Sequence, residues 1–87
     1  MVSVTQTFEV VLDKNARDVS NEVFEEEIET SITDLPEIYT VLTNAVYRSD
    51  PVRMLIDIQY DPDQVTDLST YVLNEKTELI SVKHVEY

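Results

Sequence analysis

No cysteine, glycine or tryptophan occurs among the 87 residues, and 6 basic residues stand against 18 acidic ones. Each shortage excludes something. Without cysteine there is no disulfide staple and no thiolate metal site, and the redox compartment is left unconstrained. Without glycine the phosphate-cradling loops of P-loop and dinucleotide-binding proteins are missing, as is the tight turn of a nucleophile elbow. Turns must instead come from Asn, Asp, Ser and Pro. The formal net charge of −12 repels phosphate backbones and anionic membranes, so neither nucleic acid itself nor a membrane is an expected partner. His84 is the single histidine, and with no second imidazole or thiolate a tetrahedral transition-metal site would have to be built from carboxylates. No catalytic residue, cofactor or metal is therefore assigned. The first residues, Met-Val-Ser-Val-Thr-Gln-Thr-Phe-Glu, form neither a basic leader nor an unbroken apolar run. Nothing in the chain reaches the ~18 to 20 apolar residues of a membrane span. A cytoplasmic protein is the expectation, in the host cytoplasm if the source is viral.

What is present is enough apolar material for a core. Hydrophobic residues make up 43% of the chain, more than a disordered acidic tail carries, and the length fits one domain over residues 1–87. Val2, Val4, Phe8, Val10 and Leu12 alternate with polar residues and predict a first strand, with Gln6 and Val11 breaking the pattern. Asn15 reads as an N-cap for a helix over about 16–32, with Val19, Val23, Phe24, Ile28 and Ile32 as its apolar side. Residues 37–48 are rich in β-formers and predict a strand, although Ile38, Leu42, Ala45 and Val46 also permit a helix. Val52, Met54, Ile56, Ile58 and Tyr60 give the clearest strand.

Asp61, Pro62 and Gln64 have the signature of a helix start, with Val65, Leu68 and Val72 lining one side. A last strand over 79–87 changes phase once, which predicts a bulge. The order β-α-β-β-α-β is that of the ferredoxin-like split βαβ arrangement, an α+β fold with two helices on one face of a four-stranded antiparallel sheet. That fold hosts many activities and by itself assigns none.

The charge pattern is more informative. Asp18, Glu22, Glu25, Glu26, Glu27 and Glu29 follow one another with no intervening base. At ~100° per residue all but Glu27 fall within an arc of roughly 100°. Asp18, Glu22, Glu25 and Glu29 form a ladder whose neighbours lie about 5–6 Å apart at Cβ, comparable with successive phosphates along a nucleic acid strand. Acidic runs are most often merely solvated, yet solvated helix faces usually intersperse Lys or Arg. Like charges so placed also cost the helix roughly 0.2–0.5 kcal/mol per pair. Asp18, Glu22, Glu25, Glu26 and Glu29 are therefore the candidate contacts for a basic partner.

Asp57, Asp61, Asp63 and Asp67 make a second acidic group. The EF-hand pattern fails there, because Val65 takes a ligand position and Val72 stands where the closing Glu belongs. Tyr39, Val41 and Tyr47, with Ala45, read as one face of an edge strand, and Tyr39, Val41 and Tyr47 are the candidate interface residues.

These features favour a non-enzymatic acidic binding protein that occupies the basic site of a nucleic-acid-binding protein or complex by charge mimicry. Small phage-encoded inhibitors of host defence, such as anti-restriction and anti-CRISPR proteins, share this character, although no motif here marks a family. The alternative is a regulatory or assembly module that forms a homodimer through the sheet edge, its acidity serving solubility.

Overall fold

The computed structural model of the chain describes residues 3–13 and 20–86. Its elements are β1 (Val4–Leu12), α1 (Asn21–Thr33), β2 (Ile38–Tyr47), β3 (Arg53–Tyr60), α2 (Leu68–Glu75) and β4 (Leu79–Val85). The four strands form one sheet in the order β2-β3-β1-β4, and every neighbouring pair is antiparallel. This is an α+β architecture with two helices.

The period-two rows of β1 and β3 explain the sheet's two-sidedness. Phe8 and Val10 lie in register with Ile56 and Met54 and are buried with them and with Leu12, and Ile58 and Tyr60 continue the row of β3. Phe24, Ile28 and Ile32 of α1 and Leu68 and Val72 of α2 enter the same core. The helix α1 packs chiefly along β2, and α2 along β4. Gln6 keeps the inward row of β1, and the Tyr60 hydroxyl donates to its Oε1 at 2.9 Å, so its polarity is satisfied where the alternation seemed to fail. The opposite sheet face carries Thr5, Thr7, Glu9, Leu55, Asp57 and Gln59, with Thr7 donating to Asp57 at 2.6 Å.

Several expectations need correction. The helix predicted over 16–32 is observed from Asn21, capped by Ser20 without a side-chain hydrogen bond; Asn15 and Val19 lie outside the described residues. Val23, placed on the apolar side, is 51% exposed, because it lies one step around the helix from the Phe24–Ile28–Ile32 stripe. The Asp61 signature produces a single turn and then stops. Asp61 accepts from the Asp63 N–H, and its carbonyl accepts from the N–H groups of Gln64 and Val65, after which Val65 turns into the core. The α2 helix begins one turn later, where the Asp67 carboxylate accepts from both the N–H and the hydroxyl of Thr70. Those two bonds hold the Asp67 carboxyl below its ordinary value.

Strand β2 settles the choice left open for residues 37–48, but it contains two irregularities, between Ile38 and Thr40 and between Thr43 and Ala45. They break the supposed common face of Tyr39, Val41, Ala45 and Tyr47. Val41 pairs with Ile58 and is buried, Ala45 and Tyr47 oppose Leu55 and Arg53 on the other face, and Tyr39 is the extra residue of the first bulge. The bulge expected in the last strand is present, with Ile80 skipped between the Val11–Ser81 and Leu12–Leu79 pairs.

Candidate acidic contact surface

The α1 helix presents its charge through its own geometry. Phe24, Ile28 and Ile32 define the buried stripe. At ~100° per residue Glu22, Glu25, Glu26 and Glu29 occupy the adjoining arc. Two contacts orient that arc toward β2. The Arg48 guanidinium, just beyond β2, donates to Asn21 Oδ1 at 2.8 Å in the first turn, and Glu29 reaches Thr43 farther along. On the other flank the Ser31 hydroxyl donates to Glu78 at 2.7 Å, and at ~100° per residue Glu27 falls outside the arc.

The four described members of the acidic arc differ in kind. Glu22 and Glu26 are exposed, while Glu25 and Glu29 are half-buried. Asp18 lies outside the described residues. The carboxylates of Glu22, Glu25 and Glu26 take no hydrogen bond or ion pair among the described residues. Glu29 is different, since its Oε2 accepts from the Thr43 hydroxyl at 2.8 Å and from the Thr43 N–H at 3.3 Å. Sequence spacing alone groups Glu29 with the free acids, because its anchor lies on another element. Its partner is an N–H of the edge strand, so Glu29 also occupies a donor that a foreign strand would otherwise use. Together with the two β2 irregularities this blunts the edge against strand addition.

The first turn of α1 carries Glu22, and its last turn carries no base. Nothing cationic on the helix therefore offsets the negative end of its dipole. Beside that end lies an open groove of about 570 Å³ lined by Glu29, Thr30, Thr33, Asp34, Tyr39, Thr40 and Val41. The bulge in β2 takes Tyr39 out of the strand's alternation and leaves it 36% exposed at this groove. Sequence reading missed the groove, since β2 has apolar residues at both odd and even positions and so offers no clean alternation for a bulge to interrupt. Tyr47 is 49% exposed and stands across from Arg53, far in register from Tyr39.

The second acidic group does not converge. Asp57 is bonded to Thr7 on the open sheet face, whereas Asp61 and Asp67 serve local turns. Among the described residues no cluster of three or more His, Cys, Asp or Glu side chains could hold a metal ion. The His84 ring lies 5.4 Å from that of Phe8 at a tilted angle, with Glu86 4.0 Å from its Nδ1. Tyr71 of α2 donates to Glu37 in the α1–β2 connection, and that bond is the main reason its hydroxyl is pushed up to about 12. No helix among the described residues is long and apolar enough to cross a membrane. Compared with protein-family models, curated proteins and solved structures, the chain shows no match.

Proposed function

We propose that this chain is a non-enzymatic acidic binding protein that occupies a basic, nucleic-acid-binding site on another protein or complex. Its scaffold is ferredoxin-like, and its compartment is the cytoplasm in which that partner works. The observation that carries the reading is the row Glu22, Glu25 and Glu26, anionic and without internal partners among the described residues. An anionic row costs helix stability, and a cationic surface docking against it recovers that cost. The mechanism is steric and electrostatic competition. Association would be steered by charge and would weaken steeply with ionic strength, as expected where exposed groups of opposite sign meet. In character this is the activity of a phage-type anti-restriction or anti-CRISPR inhibitor. The blunted β2 edge weighs against the alternative of a homodimer formed by strand pairing.

The test is capture from a nuclease-treated host lysate on wild-type and E22Q/E25Q/E26Q baits, followed by challenge of the retained protein with an oligonucleotide. Loss of capture by the variant, together with displacement by nucleic acid, is the expected result. A partner that stays on the variant, or that the oligonucleotide leaves in place, overturns the reading.

A further inference from the structure

We infer that the groove between the end of α1 and the start of β2 accepts an arginine side chain of the basic partner. The inference rests on the reading above and adds where that partner's anchoring residue goes. The groove's lining has three parts, each suited to a guanidinium. Glu29 and Asp34 supply carboxylates, and the α1 C-terminus adds the partial negative charge of its last carbonyls. Tyr39 supplies an aromatic ring on which a planar cation can stack. Thr30 and Thr33 supply hydroxyl acceptors, and no basic residue lines the space.

Glu29 is also held in advance. Thr43 engages its Oε2 through two hydrogen bonds, while Oε1 takes none among the described residues. A carboxylate already fixed in one rotamer loses little freedom when it accepts a second donor. The groove's volume of about 570 Å³ falls within the ~300–1,000 Å³ range of small-ligand sites, ample for one long side chain. The same set discriminates between cations. Arginine offers a planar fork of five donors and a face that stacks on tyrosine, whereas the lysine ammonium is a compact, strongly hydrated point charge.

Two probes of equal charge, hexa-arginine amide and hexa-lysine amide, test this by calorimetric titration of the whole chain at low salt. Wild type should bind hexa-arginine roughly three- to fivefold more tightly than hexa-lysine, the gain expected from one exposed stacking contact with its hydrogen bonds. Y39A should erase that preference while leaving hexa-lysine binding unchanged, D34N should reduce it while also weakening hexa-lysine through the lost charge, and Y39F, which keeps the ring, should retain it. Amide chemical shifts should move most at Thr30, Thr33, Tyr39 and Thr40 with the arginine probe. If the two peptides bind equally, Y39A changes neither and E22Q/E25Q/E26Q weakens both, the groove inference fails while the acidic-surface reading stands. If neither peptide binds, or binding ignores the Glu22–Glu26 substitutions, both fail.

Discussion

Neutralising Glu25 and Glu26 together should stabilise the fold. In α1 (Asn21–Thr33) Glu22–Glu26 and Glu25–Glu29 are spaced i, i+4, and Glu22–Glu25 and Glu26–Glu29 are spaced i, i+3. Every one of these four like-charge pairs includes Glu25 or Glu26, so E25Q/E26Q removes them all. Glu22 remains in the first turn, where its charge favours the helix dipole, and Gln matches Glu in helix propensity. At roughly 0.2–0.5 kcal/mol per pair the gain is about 1–2 kcal/mol at low ionic strength. For a domain of this size that corresponds to a Tm higher by about 4–15 °C. The gain should shrink by half or more in 0.5 M salt, because the screening length is only about 10 Å already at 0.1 M. Urea unfolding of wild type and variant at 10 mM and 500 mM salt measures both quantities. A double variant that is less stable than wild type at low salt would mean instead that these carboxylates have stabilising partners within the fold.

Other perturbations address the scaffold. Ile28 is fully buried at the centre of the α1 stripe, so Ile28→Ala should cost about 2–5 kcal/mol in urea unfolding through lost burial and the cavity left behind. Tyr71 has its hydroxyl raised from 10.0 to about 12, chiefly by donation to Glu37 and further by burial. Its contribution to stability is therefore complete below pH 10 and is lost as pH rises toward 12. Tyr71→Phe should flatten that alkaline loss in melts followed against pH. Asp67 has the opposite sign: its carboxyl lies below the ordinary 3.8 because of the Thr70 hydroxyl and N–H. The stability it gives is present above that value and disappears as pH falls through the lower folded value. Asp67→Ala should therefore unwind the start of α2 at neutral pH, seen as faster amide exchange at Ser69 and Thr70, and differ least from wild type in strong acid.

Strands β1 and β3 were legible because a sheet buried on one side imposes period two on the chain, and Phe8–Val10–Leu12 and Met54–Ile56–Ile58 carry it almost unbroken. The stripe Phe24–Ile28–Ile32 likewise announces α1 and places the glutamates beside it. Tyr39 and Val41 share odd-numbered positions with Ala45 and Tyr47, but apolar residues at both parities of β2 (Val41, Leu42, Ala45, Val46) hide its bulges, whereas the alternation of β4 shows its own. The signature at Asp61 and Pro62 is real chemistry, and it does build a turn. Burial of Val65 and a second cap at Asp67 then move the helix start, a tertiary effect that local preference cannot anticipate. The role of Glu29 was hidden for a related reason, since its partner Thr43 is brought beside it only by the packing of α1 on β2.

The proposed contact surface of Glu22, Glu25 and Glu26 for a cationic partner predicts how the affinity of the captured partner varies with ionic strength. For wild type, the logarithm of the association constant should fall steeply with the logarithm of salt concentration, and E22Q/E25Q/E26Q should flatten that line and weaken binding at low salt. Equal slopes and equal affinities for wild type and variant would mean that these three glutamates do not meet the partner.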